Sequence, residues 1–250
     1  MALAGRKTAL NIKKTRGLIM NWIQVQTFAD GPHTYVGVEV FLPQQPEPGK
    51  KYPLLMLLHG RGADRTQWLK SVRLERYAEK AGIALALVQG NQSFYVDSAA
   101  QYLWGQYVTK ELPEKLSGWF PISDRKEDRT IMGVDMGGYG AVMAVQNAPD
   151  AFDQAVAVAP VLDVEPLYGT HYQPSPEFIF GDRQELAENG YVLSNHCKVP
   201  VRIYRGMQDE KRVRSWADGG ENVTVCVLEG KTLEDQMEEA FRNVVEGGMQ

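Results

Sequence analysis

The chain has 250 residues, 44% of them hydrophobic and 23% charged, enough for one large soluble α/β core and short for two. Its formal net charge of −4 offers no basic stripe, so no nucleic-acid partner is expected. No apolar run reaches the roughly 18 residues of a membrane span, and Cys197 and Cys226 are too few for a disulfide framework; the expected location is cytoplasmic.

Residues Met1 to Ile19 are basic, with Arg6, Lys7, Lys13, Lys14 and Arg16 and no acidic residue. They lack the apolar stretch of a secretory signal and are expected to form a flexible extension, with a targeting or surface-binding segment as the alternative. Residues 20–250 are expected to form a single domain. Trp22 to Phe28 and Thr34 to Phe41 are rich in β-branched and aromatic residues and flank Asp30-Gly31-Pro32, which predicts an antiparallel strand pair.

Tyr52 to Leu58 is a continuous apolar run, the pattern of a strand buried on both faces. A helix is predicted over about Arg65 to Lys80, ended by Gly82, then a buried strand over Ile83 to Val88. An amphipathic helix follows over about Ala99 to Leu116, which Pro113 should interrupt. Arg129 to Val134 and Ala155 to Ala159 read as buried strands separated by a helix from Gly137 to Asn147. Val161 to Asn195 has weak periodicity and reads as a cap-like excursion. Val199 to Tyr204 and Val223 to Leu228 are the last strands, and Thr232 to Val245 closes the chain as a helix. Strands alternating with helices at this spacing imply an α/β class with a mostly parallel sheet covered on both faces.

The most specific segment is Gly133-Val134-Asp135-Met136-Gly137, between a predicted buried strand and a helix. Glycines two residues either side of a central side chain make the sharp turn of a nucleophile elbow, where flanking Cβ atoms would clash. Upstream, Leu58-His59-Gly60-Arg61-Gly62 follows another strand. In such sites this loop supplies one oxyanion-hole N–H, here from Arg61, and the residue after the nucleophile, Met136, supplies the other. His59 is expected to brace the loop rather than act as a base, because the base of such a triad comes last in the chain. The Arg61 guanidinium either turns inward to Asp135 or an anionic ligand, or remains a solvated loop cation.

Pro53 to Gly62 (PLLMLLHGRG), Ser93 to Asp97 (SFYVD), Glu111-Leu112-Pro113 and Asp124 to Ala141 (ending GVDMGGYGA) resemble the tributyrin-esterase and S-formylglutathione-hydrolase (esterase D-like) carboxylesterases. The resemblance extends from about Met20 to Asp163 and implies the α/β-hydrolase fold with a cofactor-free Ser-Asp-His triad acting on short acyl esters or thioesters. The serine position is Asp135. Gly206-Met207-Gln208-Asp209 matches the family's acid segment, which places the acid at Asp209. Lys231 occupies or adjoins the histidine position, and no histidine follows His196.

A carboxylate at Asp135 attacks without a base, as in hydrolases that form an ester intermediate, yet that intermediate then needs a base to activate water. Lys231 serves only if its pKa is lowered, and neighbouring carboxylates raise it. Asp135, Asp209 and Lys231 instead sum to one negative charge, like the parent triad, and would suit a salt-bridged structural cluster. A cap histidine, His171, is the remaining route to an imidazole. Trp68, Tyr95, Tyr102 and Trp104, with His59 and Gly60, are candidate pocket or loop residues; core packing is the alternative for the aromatics.

No metal-ligand spacing or cofactor motif is present. Three readings follow. The chain is a catalytically impaired esterase homologue (a pseudoenzyme or ligand-binding protein), an active hydrolase using Asp135 on small acyl esters, or a scaffold or interaction protein, with a homo-oligomer as one form of partner.

Overall fold

The computed structural model describes residues 20–206 and 210–247, with side chains except at 210–212. The basic segment 1–19 and Asp209 lie outside the described residues. Eight strands form one sheet: β1 (Met20–Ala29), β2 (Thr34–Pro43), β3 (Leu54–Leu58), β4 (Ala84–Val88), β5 (Arg129–Val134), β6 (Gln154–Val158), β7 (His196–Gly206) and β8 (Glu221–Leu228). Their order is β1-β2-β4-β3-β5-β6-β7-β8. β1 is antiparallel to β2 and β2 to β4; every other neighbouring pair is parallel. This is the mostly parallel α/β sheet expected, with its antiparallel N-terminal pair.

The helices are α1 (Gln67–Ser71), α2 (Leu74–Ala81), α3 (Trp104–Gln106), α4 (Leu112–Trp119), α5 (Met136–Asn147), α6 (Pro176–Phe180), α7 (Glu210–Ala217) and α8 (Leu233–Glu246). Alternation within the apolar strands divides the core. Leu54, Met56 and Leu58 face α5 and the cap-like excursion, where Tyr139, Ile179 and Phe180 are buried. Leu55 and Leu57 face the other layer, with Trp68 of α1, Leu74 of α2 and Phe241 of α8. Each fully buried leucine contributes roughly 1.5–3 kcal/mol relative to exposure. Strands covered on both faces need apolar residues at every position, which is why these runs lack alternation.

The helix expected over Arg65 to Lys80 is two. Its break falls at Val72, whose backbone is extended (φ −137°, ψ 140°). Trp68 is buried, with its indole N–H on the Leu58 carbonyl at 3.0 Å, and this anchor sets α1 apart from α2. The helix expected over Ala99 to Leu116 begins only at Trp104. Ser98 and Tyr102 hold the preceding segment as a turn through Ser98 N–H to Tyr102 O (3.0 Å) and Tyr102 N–H to Ser98 Oγ (3.1 Å). Pro113 does not end the helix. A π turn over Tyr107–Glu111 precedes it, so the missing N–H falls where the hydrogen-bond register changes.

The excursion is fastened by rings. Phe94 packs edge-on against Tyr139, Tyr172 and Phe180, and Phe180 against Tyr191. The Tyr139 hydroxyl donates to Tyr191 O at 2.6 Å and the Tyr191 hydroxyl to Asp97 O at 2.7 Å. Such pairs add about 0.5–1.5 kcal/mol each beyond buried area. They fasten the excursion to the segment after β4 and to α5.

Candidate functional site

The chain leaves β3 toward β4 on one side and β5 toward β6 on the other, so a crevice opens at the carboxyl ends of β3 and β5. The register pairs Leu58 with Gly133, which sends His59-Gly60-Arg61 and Val134-Asp135 out side by side. Asp135 has φ 53° and ψ −112°, a conformation costing a non-glycine residue about 1–3 kcal/mol. A Cβ on Gly133 would overlap the Gly137 carbonyl, and one on Gly137 would lie 2.6 Å from the Leu58 oxygen. Asp135 N–H donates to Val158 O at 2.9 Å, and its carbonyl accepts from Tyr139 at 3.1 Å and Val161 at 3.2 Å. The backbone is thus held on both sides while the carboxylate projects into the crevice.

Arg61 meets that carboxylate. Its backbone N–H donates to Oδ2 at 2.9 Å; its Nε donates to Oδ2 at 2.9 Å and Oδ1 at 3.1 Å, and its Nη2 to Oδ1 at 2.7 Å. Each carboxylate oxygen therefore takes two contacts, which matches the lone-pair capacity of an ionised carboxylate. The Asp135 hydrogen bond raises the Arg61 pKa further above its ordinary value. The pair lines a cavity of about 270 Å³ that also includes Pro160, Leu167, Asp163 and Arg205. The Arg205 guanidinium donates to Pro160 O at 2.9 Å. Sequence reasoning missed Asp163 and Arg205, since both lie outside any motif: Asp163 reaches the cavity on the segment after β6 and Arg205 from the end of β7.

His59 is fully buried. Its Nε2 accepts from Gly90 N–H at 3.1 Å, which assigns the proton to Nδ1, and Nδ1 donates to Gly60 O at 2.8 Å. Burial lowers its pKa below 6.5. The ring is a neutral brace. The Tyr95 hydroxyl, buried beneath it, accepts the His59 N–H at 3.0 Å, and burial pushes that phenol up. Gly60 N–H donates to Gln67 Oε1 at 2.8 Å.

The same loop is tied farther along by Arg65, whose Nε donates to the fully buried Glu39 at 2.7 Å. Trp22 donates to the other Glu39 oxygen at 2.6 Å. This strut was legible in principle, because Glu39 is the one charged residue inside the apolar run of β2.

Asp135 pairs with Arg61 rather than with Lys231, so the Asp135–Lys231 contact of the expected cluster does not form; Asp209, its third member, lies outside the described residues. Lys231 is nearly half exposed and faces Glu239 at 3.9 Å. It is drawn to the first turns of α8, where Thr232 and Asp235 form a capping box. The Arg61 N–H expected in an oxyanion hole is on Asp135. Met136 begins α5, and its sulfur lies 3.7 Å from the Tyr172 hydroxyl. His171 is exposed, while Tyr172 beside it also donates to Gln92 at 3.0 Å.

All four histidines are described, and none lines the Asp135 cavity. Tyr95 and Trp68 are core residues; Tyr102 and Trp104 line a different cleft. Among the described residues no cluster of ligating side chains suits a metal ion, and no helix is long and apolar enough to cross a membrane.

Residues 32–225 match the family described as "Putative esterase". The chain is 30% identical over 116 residues to an acetyl esterase of Caldicellulosiruptor saccharolyticus, covering 46% of this chain and 44% of that one. It is 27% identical over 146 residues to S-formylglutathione hydrolase of Bos taurus, covering 49% and 50%. The chain thus spans about half the length of the curated relatives it matches. Its fold is similar to that of a fluorophosphonate-binding serine hydrolase of Staphylococcus aureus, with TM-score 0.75, 20% identity, and coverage of 92% of this chain and 99% of that one.

Two outcomes follow from this geometry. Gly133→Ala is expected to destabilise the protein by roughly 3 kcal/mol or more, because a backbone oxygen occupies the Cβ site. Gly118→Ala, in open space on α4, is expected to be neutral or stabilising by about 0.5 kcal/mol; chemical denaturation compares them. His59 has a depressed folded pKa, so its contribution is complete above the unfolded value of about 6.5 and is lost as pH falls through the folded one. Between pH 7 and 5 the wild type is expected to lose stability with a slope of up to about 1.4 kcal/mol per pH unit. Denaturation of His59→Gln over the same range is expected to show a flatter profile.

Proposed function

The chain belongs to this esterase family, and we propose that it is a member whose Asp135 centre does not turn over acyl esters and whose cavity serves binding instead. The observation that supports this is the set of four contacts from Arg61 to Asp135. A carboxylate nucleophile needs an unengaged lone pair aimed at the acyl carbon, and both oxygens here are occupied and their charge neutralised. The contact also consumes the Arg61 backbone N–H, a donor that would otherwise stabilise a developing oxyanion. An ester formed on Asp135 would still need a base for its hydrolysis, and the cavity lining holds no histidine.

Hydrolysis of p-nitrophenyl acetate and butyrate tests the reading. Wild type is expected to remain at the buffer rate, and Asp135→Asn is expected to leave that rate unchanged. Because Arg61 is more than one-third exposed, loss of the pair in Asp135→Asn should cost only on the order of 1 kcal/mol, so the variant remains folded for the assay. Turnover by wild type that disappears in Asp135→Asn would establish the opposite reading, an active hydrolase with a carboxylate nucleophile.

A further inference from the structure

A second cleft, of about 440 Å³, lies between the segment after β4 and helix α6 of the excursion, and Asp135 and Arg61 take no part in its lining. Its outer rim is an aromatic pair, Tyr102 and Phe178, with centroids 5.6 Å apart, planes inclined by 34°, and both rings exposed. Trp104 and Pro174 extend the apolar wall, and Asn91 and Gln92 supply amides. Among the described residues no Lys, Arg, Asp or Glu lines it, and His33 stands in its wall.

The polar groups divide into satisfied and available. Ser93 Oγ donates to Gly90 O at 2.6 Å, and Ser98 Oγ accepts from Tyr102 N–H. Asn91 Oδ1 accepts from Gln89 at 3.3 Å, while Gln92 Oε1 accepts from Gly62 N–H at 3.1 Å and from Tyr172. Among the described residues neither amide nitrogen, Asn91 Nδ2 nor Gln92 Nε2, has an acceptor. Asn91 also holds φ 49°, a conformation uncommon outside glycine that keeps its amide at this wall.

We infer that this cleft binds an uncharged planar aromatic molecule carrying a hydrogen-bond-acceptor oxygen. The aromatic wall recognises a ring by stacking or edge contact. The amide N–H groups take the acceptor, and no Lys, Arg, Asp or Glu among the described lining residues compensates the desolvation of an ionised ligand. This does not rest on the reading of Asp135. Gln92 nevertheless links the two places, since it lines the cleft and also holds Gly62 beside Arg61.

The test is titration of purified protein with 4-methoxyacetophenone, followed by saturation-transfer NMR, beside cyclohexyl methyl ketone and benzoate. The neutral aryl ketone is expected to bind, with the other two at least about fivefold weaker. Phe178→Ala and Tyr102→Ala, both at exposed positions, are each expected to weaken binding about fivefold. Asn91→Gly keeps the left-handed backbone and is expected to weaken it about threefold. Arg61→Ala is expected to leave the affinity unchanged. Absence of binding at millimolar ketone, equal affinity for the cyclohexyl ketone, or binding abolished by Arg61→Ala but untouched at the rim would each overturn the inference.

Discussion

The close approach of two backbone turns at the ends of β3 and β5 governs everything at the crevice. Parallel pairing of Leu58 with Gly133 brings Gly60 so near Asp135 that a Cβ there would lie 3.1 Å from the Asp135 Cβ. Glycine at 60, 133 and 137 is what lets the chains pass. With that separation set, the next residue of the first loop has its amide N–H on whatever stands at the tip of the elbow. Here the tip is a carboxylate, and the loop residue is an arginine with three donors to offer it.

That pairing changes the electrostatics expected of the fold. An elbow that exposes a side chain on a strained turn spends backbone energy to hold it ready. In this chain the exposed group is immediately neutralised by its neighbour, while the brace beneath the loop is fully retained. Neutral His59 ties Gly60 to Gly90, Tyr95 supports His59, and Arg65, itself partly exposed, anchors the far end of the loop on the buried Glu39. The scaffold of the crevice is therefore rigid around a centre whose charges are internally matched. The second cleft differs in kind: aromatic, without a Lys, Arg, Asp or Glu in its described lining, and with amide donors still open.

Much of this was readable from residues. The unbroken apolar strands, the glycine spacing about Asp135 and the His-Gly loop each carry their own physical signature, and they lead to the α/β-hydrolase sheet that the structure has. The helix boundaries near Val72 and Trp104 were not readable, because they depend on Trp68 reaching Leu58 and on Ser98 closing a turn with Tyr102. The partner of Asp135 was left open between Arg61 and Lys231. Charge counting allowed either cation, and the capping box at Thr232 turns the chain at Lys231 toward α8 and Glu239.

By itself, the sequence determined the fold class, the position of the elbow, the carboxylate at its tip and the scarcity of histidine, since these follow from local periodicity, turn sterics and residue identity. Only the tertiary structure decided which cation meets Asp135, that His59 is a neutral brace, that Asp163 and Arg205 share the cavity, and that Tyr102 and Trp104 belong to a separate cleft. The physical reason is reach. Hydrogen bonds and ion pairs act over about 3 Å between groups separated by tens of residues along the chain, as Arg61 and Asp135 are, so their partners are set by strand register and loop path rather than by spacing in sequence.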